Sequence, residues 1–262
     1  GDLVLENVFV EGGGFQIKSG AGWSGKVVIR NSVITGLGAL DENGIDVATT
    51  GDVTIENTVF EATGAIALKV SGGGAIRIEN NELRSNNLLT FVPSNPDASD
   101  VLDVTATTTG AKVLRGNRIG AGIVHLSSGK GWVIGGDGPG QGNVLIGPRC
   151  VLRLTGTADA VVRGNYMHHD YFGGWSQGFN LYLEGAPGLL AEHNVIRGSS
   201  WPLQNLEGEF RYNLVVDVGH EWIRTVRSGA RIHHNVFTNV TISGKQGIET
   251  GIWMYQNESG VQ

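Results

Sequence analysis

Ten asparagines recur along the chain, each two residues ahead of an apolar residue: Asn7, Asn31, Asn57, Asn81, Asn117, Asn143, Asn165, Asn194, Asn213 and Asn235. The steps between them are 24, 26, 24, 36, 26, 22, 29, 19 and 22 residues. A quasi-period of this length marks a repeat architecture in which each unit buries its apolar face only against its neighbours. The continuity of the repeat predicts one elongated domain over residues 1–262, built from about ten or eleven units.

Each unit reads as short strands. The run Ala191-Glu-His-Asn-Val-Ile-Arg-Gly198 alternates apolar and polar residues and then turns. A second apolar run follows in most units, at 44–47, 65–68, 101–104, 122–126, 151–154, 180–183 and 222–225. No helical period appears anywhere. Glycine, at 42 of 262 residues, is about twice its ordinary usage, as frequent tight turns require. This pattern is one coil of an all-β parallel β-helix, with equivalent residues of successive coils stacked about 4.8 Å apart. Stacked asparagines at a sharp bend bond their amides to each other and to backbone, so they are read as structural.

The Asn-x-apolar turn repeated over nearly the whole chain resembles the right-handed parallel β-helix superfamily of pectate-lyase-like proteins. That resemblance implies a right-handed solenoid. For function it implies only a range, since lyases, hydrolases, epimerases, phage spikes and adhesins share the fold. The Gly-rich stretch Val133-Ile-Gly-Gly-Asp-Gly-Pro-Gly-Gln-Gly-Asn143 resembles a turn of secreted bacterial members, its glycines permitting tight bends. The motifs of polygalacturonases, mannuronan epimerases and pectate lyases do not occur, so no residue role carries over from a family.

Composition removes some classes. A net charge of −6 gives no basic footprint for nucleic acid. No apolar stretch reaches the ~18 residues of a membrane span. The single cysteine, Cys150, reads as a small buried residue. Both termini read as cut within the solenoid, at Leu3-Val-Leu-Glu-Asn7 and Ser259-Gly-Val-Gln262. The expectation is a piece of a longer secreted or cell-surface protein whose uncapped ends associate end to end.

Chemistry-bearing side chains are unevenly spread. Six of seven histidines and four of five tyrosines fall between residues 165 and 235, and the first 110 residues hold neither type. Aligning the second runs gives an outward lane of Asp103, His125, Arg153, Tyr182, Gln204, Arg224 and Trp253, one per coil. A register slip of one residue would turn this lane inward. Two irregular steps hold loop excursions, at 85–100 and 167–178.

Carbohydrate sites use aromatic faces with nearby arginine, histidine and carboxylates. The candidates for catalysis are His169, Asp170, Tyr182, His220, Glu221 and Arg224; those for substrate binding are His125, Arg153, Tyr171, Trp175, Trp201, Gln204, Arg227 and Trp253. An arginine pairing with a uronate carboxylate would lower the energy of the enolate formed when the C5 proton leaves, with histidine or tyrosine as base and acid. Hydrolysis would instead need two carboxylates, Asp170 with Asp217 or Glu221. Against these stand plainer roles. His193, His233 and His234 adjoin ladder asparagines and read as turn residues. Trp222 and Trp253 could equally cover the sheet, and Arg224 and Arg227 could pair with Glu207, Glu209 or Glu221. His168-His-Asp170 does not read as a metal centre, because adjacent loop residues rarely converge on one ion. Asp41-Glu42 and Asp97 with Asp100 offer only a weak Ca²⁺ cluster, so no cofactor is expected. The functional expectation is a polysaccharide-active protein, first a glycan lyase and second a non-catalytic structural or glycan-binding β-helix.

Overall fold

A computed structural model describes residues 1–15, 17–18, 22–37, 44–62, 66–85, 100–106, 109–120, 122–147, 150–169, 178–199, 201–218, 223, 226–227 and 229–240. The chain is a right-handed parallel β-helix. Its described strands form three parallel sheets, two of ten strands and one of eight, each strand pairing with its equivalent in the next coil. The first sheet runs from Leu3–Glu6 to Arg231–His233, the second from Phe9–Phe15 to Val236–Val240, and the third from Ile17–Lys18 to Trp201–Gln204.

Period-2 alternation produces this shape. In Val27–Arg30, Val53–Glu56 and Ile76–Glu79 every other residue is buried, and the strand register stacks like on like. In the first sheet Ile29, Ile55, Ile78, Leu114, Ile134 and Val162 form one continuous inward column. In the second, Ile34, Phe60, Leu83, Ile119, Leu145 and Met167 do the same. In the third the column is Leu68, Leu102, Val124, Leu152, Leu181 and Leu203. All of them are at most 1 % exposed. Each such side chain contributes about 1.5–3 kcal/mol on leaving water, which is what holds short strands in a parallel array.

The bend between the first and second sheets separates the ten asparagines into two kinds. Asn81, Asn117, Asn143, Asn165, Asn194, Asn213 and Asn235 form an inward ladder. In each step the upstream asparagine donates both its backbone N–H and its Nδ2 to Oδ1 of the next, at 2.8–3.1 Å. The same Nδ2 groups reach back to carbonyls such as Ile55 O, Ile78 O and Leu114 O. Asn7, Asn31 and Asn57 stand one position earlier, exposed and left-handed with φ of 55°, 51° and 51°. In those coils the ladder position belongs to Val8, Ser32 and Thr58. The Ser32 hydroxyl accepts the Val8 N–H, and Thr58 N–H donates to Asn81 Oδ1. The equivalence of all ten asparagines is therefore corrected: three tolerate the bend, and seven bond across it.

Further along, the left-handed position is held by Gly116, Gly164, His193, Tyr212 and His234. A left-handed conformation costs a non-glycine residue roughly 1–2 kcal/mol. At His193, Tyr212 and His234 ring stacking offsets part of that. His193 and Tyr212 stack at 5.4 Å and 9°, and Tyr212 and His234 at 4.9 Å and 28°.

Candidate functional site

The third sheet presents the expected lane in register. Asp46, Lys69, Asp103, His125, Arg153, Tyr182 and Gln204 occupy one column on successive strands. They face outward because their neighbours Leu102, Val124, Leu152, Leu181 and Leu203 face inward, and alternation leaves no other arrangement. A second outward column, Ser71, Thr105, Ser127, Thr155 and Glu184, runs beside it.

Around Arg153 and Tyr182 the two columns meet a group of aromatic rings. The Arg153 guanidinium carbon lies 5.8 Å from the Tyr182 ring centroid, and its Nη2 donates to Glu184 Oε2 at 3.2 Å. Phe179 sits 5.3 Å from Tyr182 and stacks on Trp201 at 5.4 Å and 23°. All three rings are half-buried. They form an apolar floor whose polar groups are the Tyr182 hydroxyl and the Trp201 indole N–H.

Burial is the main cause that raises the Tyr182 phenol above its ordinary 10.0, the Glu184 carboxylate adds to it, and Arg153 pulls the other way. The folded state therefore favours neutral tyrosine. Its stabilising effect is complete below the unfolded-state pKa of ~10 and is lost as pH rises through the higher folded value. Tyr182→Phe should remove one tyrosinate transition above pH 10 from an absorbance titration and make the alkaline loss of stability shallower. An unchanged titration curve would contradict this environment for Tyr182.

On the strands before Arg153 a polar corner forms. His125 Nδ1 is 3.5 Å from Asp100 Oδ2 and 3.5 Å from Asp103 Oδ1, and His125 Nε2 is 3.1 Å from Thr155 Oγ1. One ligand-type atom from each of the three acidic and imidazole groups lies within 4.8 Å of the others. Asp100 enters this corner through a register shift between Asp100 and Leu102. Such a bulge has no sequence signal here, so this residue was not expected at the lane.

The other expected site residues scatter or lie elsewhere. His169 is 1 % exposed, on the inward side of Tyr166–His169. A Cβ on Gly178 would come within 2.0 Å of its Nε2, so the ring is packed against backbone. The site on the open face is built without it. Trp201 and Gln204 join the lane, whereas Arg227 pairs with Glu207. Asp170, Tyr171, Trp175, His220, Glu221, Arg224 and Trp253 lie outside the described residues. His193, His233 and His234 do gather at the turn, where His233 Nε2 is 2.9 Å from Glu209 Oε1. His168 stacks beside Tyr166 on the second sheet. The described histidines of this stretch therefore do not gather in one site. Phe179, Thr155 and Glu184 were missed, and only their adjacency to lane residues in sequence could have shown them.

A depression of about 540 Å³ lies over the glycine turn 136–142, beside Val144 and Tyr166. It sits at the bend between the first and second sheets, away from the lane, and its floor is largely glycine backbone. Among the described residues no helix is long and apolar enough to cross a membrane. Comparisons with known families, curated proteins and solved structures return no match to this chain.

Proposed function

We propose that this β-helix binds an acidic polysaccharide along the outward face of its third sheet and cleaves it by β-elimination. The observation that carries the reading is the order of the lane. Arg153 stands with an acid-type phenol on the strand after it and the Asp100–Asp103–His125 corner on the strands before it. The strand spacing of about 4.8 Å matches side chains to successive parts of an extended glycan.

In this mechanism Arg153 binds the uronate carboxylate and offsets the charge that develops on it as the C5 proton leaves. The proton passes to a base in the polar corner, and the electron pair forms the C4–C5 double bond. The C4–O bond breaks, and Tyr182 gives its proton to the departing oxygen. A phenol raised above its ordinary pKa suits the acid role rather than the base role, because it stays protonated until it is used. Trp201 and Phe179 supply the stacking surface, and Gln204 a polar contact on the next strand. A polysaccharide substrate places the protein's work outside the cell or at its surface.

The test is incubation with a panel of polyuronates and neutral glycans, following the ultraviolet absorbance of unsaturated uronate ends. Product from a uronate-containing member supports the reading. Binding to the panel without product would replace the lyase by a non-catalytic glycan-binding β-helix, and no binding at all would remove both.

A further inference from the structure

We infer that Asp100, Asp103 and His125 form a binding site for a divalent transition-metal ion of the Zn²⁺ type. The site is a product of the bulge. Strict alternation along Asp100–Ala106 would place Asp100 on the inward side with Leu102 and Val104. The register shift instead brings it to the side of Asp103, opposite His125 on the adjacent strand.

The distances favour an ion over a simple ion pair. One imidazole nitrogen carries one hydrogen and cannot serve two carboxylates equally. A charge-assisted hydrogen bond would close to about 2.7–2.9 Å. His125 Nδ1 instead stands 3.5 Å from an oxygen of each aspartate. Donors about 2.0–2.1 Å from a tetrahedral Zn²⁺ lie roughly 3.3–3.4 Å apart, close to that separation. A second feature lies outside the trio. Thr155 Oγ1 meets His125 Nε2 at 3.1 Å and orients the ring so that Nδ1 faces the carboxylates, the role that outer partners play for ligating histidines. Charge points the same way. Asp100 is 3 % exposed, its carboxylate and that of Asp103 each offer an oxygen within 4.8 Å of the other, and a cation held there lowers their mutual repulsion.

The nitrogen ligand selects the metal class. Ca²⁺ and Mg²⁺ prefer shells of six or more oxygens, whereas Zn²⁺ takes a few nitrogen and oxygen donors. Three protein ligands leave a fourth position for water or for a glycan oxygen. Metal binding does not depend on the glycan reading. Where that reading holds too, an ion held by Asp100, Asp103 and His125 would lower the pKa of a bound water, and the resulting hydroxide would serve as the corner's base.

The experiment is calorimetric titration of the untagged, chelator-treated chain with ZnCl₂ alone and with CaCl₂ alone, in the absence of glycan. The expected result is one Zn²⁺ per chain at micromolar affinity or tighter, with Ca²⁺ weaker. Asp103→Asn and His125→Gln should each weaken Zn²⁺ binding by more than tenfold, and Thr155→Val should weaken it by roughly tenfold. Circular dichroism of the variants checks that the fold persists. Should either ligand variant fail to fold, Co²⁺ added to the parent chain supplies the readout, as a tetrahedral site gives strong visible absorbance. Absence of Zn²⁺ binding, tighter Ca²⁺ binding, or Zn²⁺ affinity unchanged in folded Asp103→Asn and His125→Gln would overturn the inference. Glycan cleavage, or its absence, has no bearing on any of these outcomes.

Discussion

Asn165→Ala should lower the free energy of unfolding by about 3–5 kcal/mol, whereas Asn57→Gly should change it by less than about 1 kcal/mol. The two residues look alike in the repeat, but they hold opposite positions at the bend. Asn165 is 1 % exposed. Its Oδ1 accepts both the backbone N–H and the Nδ2 of Asn143, and its own Nδ2 donates to Ile134 O, Arg163 O and Asn194 Oδ1. Alanine removes all of these at once and leaves buried donors of Asn143 without that acceptor. Each such orphaned group costs about 1–3 kcal/mol. Asn57 is exposed, and its Nδ2 donates to Asn31 Oδ1 at a long 3.4 Å. Its value lies in tolerating φ of 51°, which glycine does as well. Urea unfolding midpoints read both effects. In a solenoid the damage should be local, so hydrogen exchange in Asn165→Ala should quicken first in the coils that hold Asn143 and Asn194. Equal losses in the two variants would show that the asparagines do not divide as described.

Tyr182→Phe should reduce kcat for uronate cleavage by about 10²–10⁴-fold, and Arg153→Ala should reduce kcat/KM by at least about 10²-fold. Phenylalanine keeps the ring against Phe179 and Arg153 and removes only the proton that the leaving oxygen needs. Arg153 acts on charge that appears as the proton departs, so its loss should fall on the chemical step more than on glycan affinity. Both side chains are half-buried on the outer face, and their removal opens no core cavity. Cleavage that persists in both variants at the parent rate would move the active centre away from the lane. Cleavage lost in both, with glycan affinity retained, would locate it there.

Much of this architecture is legible in the chain. The inward columns through Ile55, Leu83 and Leu152 follow from alternation, and the outward lane from Asp103 to Gln204 follows from aligning the same runs. The order of both needs no tertiary knowledge, because a parallel coil stacks each residue on its equivalent; that the lane faces outward was decided by the register. Two details were not legible in the chain, for the same physical reason. The asparagines of the first three coils precede the ladder by one residue, and Asp100 reaches the lane only through a one-residue shift. Local pattern cannot register either displacement, since a bend or bulge absorbs one residue without altering the apolar period.

The crowding of histidines after residue 165 carries a similar lesson. In sequence these residues lie close together, but a coil of some 22 residues sends its side chains in three directions. His169 goes inward, His168 to the second sheet, and His193 and His234 to the bend. Among the described histidines only His125, outside the crowd, joins the lane.

The sequence by itself determined the repeat, the parallel coil, the core columns and the lane's order, because all four are matters of period and period survives without coordinates. The tertiary structure alone decided which rings meet, which asparagines bond, and that Asp100, Asp103 and His125 converge. Those depend on single-residue shifts in register and on the angle between sheets, and no periodicity encodes either.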